Sequence, residues 1–316
     1  MKRFVVTGCN GYIGSHMCYE LKKAYPNCQI HGVDKVVKSH LRHLYDTFDH
    51  TDLAVDSIML SPTGSEKVDA VFHFAAFISV EEGEREPWRY YHNNVVGSLR
   101  LIKQCIQYGV KNFIFSSTAA VYGESKSKLF GHLLETQPMN AFSVYGKSKQ
   151  IVEEILGSIT NMNVARLRYF NACGRNVEAG LYEEHDPETH LIPLLIRNKT
   201  ATIYGNDWPT KDGTCVRDYV HVIDICRAHI LAYEDMCEMP IGINYAANVG
   251  SGKGYSVKEV VDRVNEIIHN GQMDIEYVDK RDGDVPYLVA DTTFIKDYLN
   301  FVPKYDLTEI IESMKE

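Results

Sequence analysis

Three tyrosines in this chain are followed four residues later by a lysine: Tyr19 with Lys23, Tyr122 with Lys126, and Tyr145 with Lys149. A tyrosine can act as a general base only if its phenol, with an ordinary pKa of about 10, ionises closer to neutrality. A nearby lysine ammonium and the positive ring of a nicotinamide cofactor, held in a partly dry cleft, both favour the charged phenolate. Tyr145 and Lys149 lie in "SVYGKSKQIVEEIL", where Ile151, Val152, Ile155 and Leu156 recur at helical spacing, so positions i and i+4 share a face. Tyr19 and Lys23 fall at the far end of the first helical stretch, and Tyr122 is followed by Gly123 and the polar run "ESKSK". A solvated helix face and a loop are the expectations there. Tyr145 and Lys149 are therefore the expected catalytic pair. A hydroxyl to hold a substrate oxygen is available in "NFIFSSTAAVYG", where Ser116, Ser117 and Thr118 sit at the C-terminal edge of an expected strand. Thr118 is the choice, as the last hydroxyl before the chain turns.

A second constellation sits at the N-terminus, where Gly8, Gly11 and Gly14 are spaced three apart between the first strand and the first helix, with Asn10, Tyr12 and Ile13 in the same turn. Glycines there permit a tight turn and close approach of backbone to a pyrophosphate, and the helix N-terminus supplies donors. Asp34 follows Gly14 by twenty residues at the end of "QIHGVD", where a carboxylate can accept ribose hydroxyls and repels a 2′-phosphate. NAD is expected over NADP, although Lys35 beside Asp34 leaves NADP open.

These residues need a scaffold. Short apolar runs ("RFVVTG", "QIHGVD", "DAVFHFAA", "NFIFSS", "NVARLRYFN") alternate with amphipathic stretches, including a long one from Trp88 to Tyr108. That alternation predicts an α/β fold, a doubly wound parallel sheet of the Rossmann type. The texture changes after Asn171, and "GINYAANVG" reads as a return to the sheet. The expected division is a dinucleotide domain over 1–171, returning at 223–249, and a smaller α/β substrate lobe over 172–222 and 250–316. No apolar run approaches the roughly 20 residues of a membrane span, and "MKRFVVTGCNGYIGSH" enters a folded motif without a signal-peptide pattern, so a cytoplasmic protein away from membranes is expected. The eight cysteines contain no Cys-x-x-Cys pair and read as reduced thiols without chemistry. A net charge of −9 disfavours nucleic acid as a partner.

The order of the glycine turn, "FIFSSTAAVYG", "YGKSK", "RYFN", "IYGNDWPTKDGTCVRDYVHV" and "RDGDVP" resembles the extended short-chain dehydrogenase/reductase family, and within it the UDP-galactose 4-epimerases. The resemblance covers nearly the whole chain, and is weakest over "VVKSHLRHLYDTFDHTDL", which is shorter than the family's usual segment. It implies NAD-dependent 4-epimerisation of a UDP-hexose through a transient 4-keto sugar, in a homodimer built by pairing the segments Trp88 to Tyr108 and Asn140 to Ile159. It implies cofactor roles for the glycine turn, Asp34, Phe74, Ala75, Ala76, Asn93, Ser116, Tyr145, Lys149 and Phe170, with Asp52 and Leu53 as adenine neighbours. It implies UDP-sugar contacts from Thr118, Asn171, His190, Leu191, Arg217, Tyr219, Arg281 and Asp284, and a pocket wall at Leu288.

Each of these has a plainer reading when taken singly. An arginine is often a surface ion pair, and Asn93 could cap a helix. No second ligand at metal spacing is evident beside His190, so no metal site is expected. Dehydratases and decarboxylases of the same fold place an acid just after the hydroxyl triplet, whereas this chain has Ala119 and Ala120, which cannot move a proton. A protein that binds dinucleotide without turnover would have no use for Tyr145 as a base.

Overall fold

The computed structural model describes residues 1–58, 60, 67–123, 131–185, 187–281 and 283–315. Lys126, the partner of Tyr122 in one of the three pairs, lies outside them. The chain forms two compact units. The first comprises Met1–Gly123, Pro138–Arg168 and Cys226–Ala247, and the second includes Tyr169–Ile225 and Asn248–Glu316.

The first unit is built on a seven-stranded sheet. Its elements in chain order are β1 (Arg3–Thr7), α1 (Tyr12–Ala24), β2 (Gln29–Asp34), β3 (Thr47–His50), β4 (Ala70–His73), α2 (Val80–Arg85), α3 (Pro87–Tyr90), α4 (Gly97–Gln107), β5 (Asn112–Thr118), α5 (Val144–Gly157) and β6 (Asn163–Tyr169). The strand order is β3-β2-β1-β4-β5-β6, ending on β10 (Asn244–Val249), and the ladders from β3 through β5 are parallel. Strands covered on both faces must be apolar throughout, which is why Ala70–His73 is buried at every position. Between β1 and β4 the order reverses, and such a switch point is where open α/β sheets bind ligands.

The segment from Trp88 to Tyr108 is helical in three pieces. α3 runs into a π-helical stretch over Tyr91–Val96 before α4 begins at Gly97. π turns interrupt helices at functional sites more often than elsewhere, and this one carries Asn93. α5 opens on Ser143, whose hydroxyl accepts from Gly146 N at 3.0 Å, and Glu84 Oε1 accepts from Val144 N at 2.7 Å. The helix start, and with it Tyr145, is thereby fixed.

α5 and β6 are joined by an ion pair with almost no exposure. Arg168 Nη2 lies 2.7 Å from Glu153 Oε2, Nε donates to both carboxylate oxygens, and Ser117 Oγ donates to Oε1. Arg168 Nη1 donates to Tyr122 Oη at 2.9 Å.

In the second unit, β7 (Asn171–Cys173) runs parallel to β9 (Val216–His221), which pairs antiparallel with β11 (Gly254–Ser256) and parallel with β13 (Tyr287–Leu288). β8 (Thr200–Tyr204) and β12 (Asp274–Val278) form a separate parallel pair. Two helices, α6 (Leu191–Arg197) and α8 (Val257–His269), cover an apolar core that includes Ile192, Leu195, Val260 and Val264. Residues 131–137 sit with this unit rather than with the dinucleotide domain where the sequence boundaries put them. Leu133 N donates to Val289 O, and Asn248 Nδ2 donates to Leu133 O, which fastens the segment there.

The buried pair gives a stability test. Arg168→Met should destabilise the protein by about 3–5 kcal/mol, because Glu153 is left charged and unpaired in the interior. Adding Glu153→Leu should recover most of that loss. Urea unfolding of the single and double variants reads both.

Candidate active site

The glycine turn adopts a shape that only glycine allows. Gly8 has φ +71°, and a Cβ on it would stand 2.7 Å from Ala75 N; a Cβ on Gly14 would stand 2.0 Å from Gly8 O. α1 begins at the sheet's switch point with Gly11 as its N-cap and no side chain capping its first turn, a cradle that fits a pyrophosphate. Asp34 ends β2, where Oδ2 accepts from Asn10 N and Oδ1 from Val36 N, both at 2.9 Å. Each carboxylate oxygen keeps a lone pair for a further donor. Burial raises the Asp34 pKa against these bonds, so the carboxylate is held in place at some electrostatic cost.

Lys35 does not compete for that position. Its Nζ donates to Asn93 Oδ1 at 2.6 Å and lies 3.4 Å from the centre of the Phe77 ring. Asn93 is thereby linked to the region of Asp34. Its neighbour Asn94 donates to Ser148 Oγ at 3.0 Å, and Ser148 donates to Tyr145 O, so the π turn is tied to the start of α5. Asp52 accepts from Ala54 N within its own turn, whereas Leu53 packs in the apolar core with Val5 and Val33. Phe74 and Ala75 follow β4 beside Gly8, with Phe74 N donating to Thr7 O at 3.1 Å. Tyr12 is buried, with Ile13 and Ala76 half-buried.

Tyr145, Lys149 and Thr118 come together within the first unit. The Thr118 hydroxyl hydrogen-bonds the Tyr145 side chain and accepts from Ala120 N at 3.2 Å. Lys149 is 3% exposed, and its Nζ donates to Ser116 O at 2.7 Å. Burial pushes the Tyr145 phenol up to about 12, and the Thr118 bond only partly offsets that. Burial lowers Lys149 to about 7, opposed by the Glu153 carboxylate one turn along α5. The protein alone therefore does not make Tyr145 a phenolate, and the expected shift has the positive nicotinamide ring as its second source. Desolvation outweighs the one hydrogen bond. The pair at Tyr19 and Lys23 differs, with the ammonium 6.0 Å from the ring centre on α1.

The residues expected to meet a UDP-sugar lie in the second unit, apart from Thr118. Phe170 and Tyr219 are buried, and burial raises the Tyr219 phenol. Asn171 pairs with Tyr219 in register and donates from Nδ2 to Asp218 O. Asp284 joins two arginines: Oδ1 accepts from Arg217 Nη2 at 3.2 Å and Oδ2 from Arg281 Nε at 3.3 Å. Arg281 is largely exposed, stacks 4.3 Å from the centre of the Tyr204 ring, and keeps donors for an anion. Leu288 pairs with Arg217 in register and is half-buried.

His190 departs from the sequence reading. Its Nδ1 lies 3.0 Å from Glu183 Oε1 and 2.9 Å from Glu188 Oε1, and His185 joins the same group, contrary to the expectation that no second ligand accompanies it. An irregular loop brings these residues together, and irregular loops carry no periodicity to read. Burial lowers the His190 pKa, but bonds to Glu183 and Glu188 prevail and raise it to about 10. Leu191, next along, packs on the apolar core of the unit.

Seven of the eight cysteines are buried free thiols, and burial pushes Cys9, Cys18 and Cys105 up. They are inert at neutral pH. Among the described residues, no helix is long and apolar enough to cross a membrane.

A dinucleotide turn at the switch point of a Rossmann-type sheet, with a Thr-Tyr-Lys cluster at the end of β5, is the arrangement of a nucleotide-dependent redox enzyme. The chain belongs to the NAD dependent epimerase/dehydratase family, whose sequence model matches residues 4–250. It is 37% identical over 318 residues to the UDP-glucose 4-epimerase of Rhizobium leguminosarum bv. trifolii, covering 98% of this chain and 95% of that one. The structure is similar to that of UDP-glucose 4-epimerase from Brucella ovis in complex with NAD, with a TM-score of 0.88 and 35% identity over 99% of this chain and 97% of that one. It is also similar to the UDP-Glc/GlcNAc 4-epimerase of Campylobacter jejuni, with a TM-score of 0.81 and 33% identity over 99% and 98% of the two chains.

Two tests follow from the cluster. Tyr145→Phe should keep the fold and bound cofactor while losing about 10²- to 10⁴-fold in turnover, with Tyr19→Phe near wild type as control; steady-state rates decide. For Lys149, the unfolded chain binds its proton up to the ordinary value of 10.5 and the folded chain only to about 7. Stability should therefore rise with pH across that window, and by up to about 1.4 kcal/mol per unit more than in Lys149→Met. Urea unfolding of dinucleotide-free protein at several pH values measures the difference.

Proposed function

We propose that this chain is a UDP-hexose 4-epimerase that interconverts UDP-glucose and UDP-galactose. The observation that carries the reading is the hydrogen-bonded Tyr145 and Thr118 beside a buried Lys149 at the end of β5, in a chain with the glycine turn and Asp34 of a dinucleotide site. Tyr145 takes the proton of the sugar 4-hydroxyl, Thr118 holds the reacting oxygen, and Lys149 stabilises the phenolate. When bound, NAD would supply a positively charged ring and a reversible acceptor for the sugar's hydride. Gly8, Gly11, Gly14 and Asp34 hold that cofactor, and no net oxidation results.

In this reading Arg217 and Arg281 fork onto the diphosphate, positioned by the carboxylate of Asp284. Asn171, Tyr219, His190 and Leu191 line the remainder of the UDP-sugar site. Ala119 and Ala120 offer no acid to expel water, which sets the chain apart from dehydratases. A homodimer fits the apolar residues left exposed on the helical segments, among them Val96 and Leu99 on one and Phe142 and Ile151 on the other. A cytoplasmic location fits the reduced thiols.

Incubation with a panel of UDP-hexoses should interconvert the 4-epimers without added NAD and without release of NADH. Stoichiometric NADH would instead mark a dehydrogenase. The C2 substituent tests Leu288: tyrosine at this place would fill the space beside Arg217, and a pocket separates apolar groups by only about 1–3 kcal/mol. Wild type should therefore prefer the plain hexoses and turn over the N-acetylated pair more weakly. Leu288→Tyr should abolish N-acetyl turnover and Leu288→Gly should raise it, whereas equal substrate ratios in all three would remove Leu288 as a gate.

A further inference from the structure

The loop that leads into α6 gathers four groups, of which only His190 also has a place in the proposed UDP-sugar site. Glu183, His185, Glu188 and His190 each present one donor atom, and these atoms lie within 4.8 Å of one another. Three edges are shorter. His190 Nδ1 is 3.0 Å from Glu183 Oε1 and 2.9 Å from Glu188 Oε1, and His185 Nδ1 is 3.0 Å from the same Glu183 oxygen. The sequence spacing is E-x-H-x-x-E-x-H.

Protons do not satisfy this set. The Glu183 side chain is 3% exposed, and its second oxygen, Oε2, has no hydrogen-bond partner; neither does Oε2 of the equally buried Glu188. A buried carboxylate oxygen left without a partner is costly. Nδ1 of His190 carries at most one N–H, yet two carboxylate oxygens crowd it. A cation at the centre of the four groups would serve both carboxylates and both imidazoles at once.

We propose that Glu183, His185, Glu188 and His190 form a structural binding site for a divalent transition metal of the zinc class. Two imidazoles and two carboxylates match the ligands zinc takes, whereas magnesium and calcium favour oxygen alone. Tetrahedral zinc with bonds of about 2.0–2.1 Å sets its ligand atoms roughly 3.3 Å apart. The observed edges of 2.9 and 3.0 Å are a few tenths shorter and the set as a whole lies within 4.8 Å, so the short edges must open slightly, and the wider ones close, to admit the ion. Four protein ligands close the coordination sphere, which assigns the metal a structural role rather than a catalytic one. It pins the loop to the start of α6, where Leu191 enters the core of the second unit.

The test uses the purified full chain, stripped with a chelator and reloaded with zinc chloride. Elemental analysis should find about one equivalent of zinc retained per chain after desalting, and the melting temperature should rise on reloading. Cobalt(II) in place of zinc should give the visible bands of a tetrahedral site without the intense near-ultraviolet band of a thiolate ligand. His185→Ala and Glu188→Gln should each weaken zinc binding by about tenfold or more in competition with a chromophoric chelator. Cys237→Ser, which removes the exposed thiol, should leave it unchanged. Failure of wild type to retain stoichiometric zinc, a cobalt–thiolate band, or a zinc affinity unchanged from wild type in both ligand variants would each overturn the proposal; the cobalt spectrum decides even if a variant does not fold.

Discussion

Lys149 is a cation with almost no access to water, and the active-site end of the first unit is arranged around holding it there. Its Nζ donates to the Ser116 carbonyl, and the Glu153 carboxylate one helical turn away opposes the desolvation that would neutralise it. Glu153 is itself a buried charge and is tolerable only because Arg168 and Ser117 bind both of its oxygens. The chain of dependence thus runs from β6 through α5 to the end of β5. Tyr145 sits on the same face of α5 as Lys149, so fixing the lysine fixes the phenol.

The cofactor turn rests on a different kind of constraint, the exclusion of atoms. Gly8 and Gly14 pack so closely on their neighbours that a methyl group at either would collide with backbone. α1 begins there with no side chain capping its first turn. Asp34 is oriented by two backbone amides, and Lys35 is drawn aside by Asn93 and Phe77. The acidic group therefore decides the local charge, in keeping with a dinucleotide that lacks a 2′-phosphate.

Much of this was legible because it is local. Strand and helix periodicities, the spacing of the three glycines and the i, i+4 relation of Tyr145 to Lys149 are all properties of short windows. Glu153 and Arg168 were not legible, since one lies on a helix and the other on the following strand, and nothing in either window calls for the other. Leu53, expected beside adenine, packs in the apolar core, and a shortened segment carries no pattern that separates wall from interior. The π turn through Asn93 was hidden inside an apparently continuous helical stretch. The burial of the Tyr145 phenol was not legible either: spacing shows that a cation is near, but says nothing about how much water both groups lose.

The central claim is that Lys149 makes Tyr145 a usable base in the loaded enzyme despite the burial that opposes it. The direct measurement is the ultraviolet titration of the Tyr145 phenol, obtained as the difference between wild type and Tyr145→Phe, each with NAD bound, and repeated on the Lys149→Met background. The account predicts that the phenol ionises near neutral pH in the presence of Lys149 and stays protonated above about pH 10 without it. The same titration on both backgrounds would contradict it.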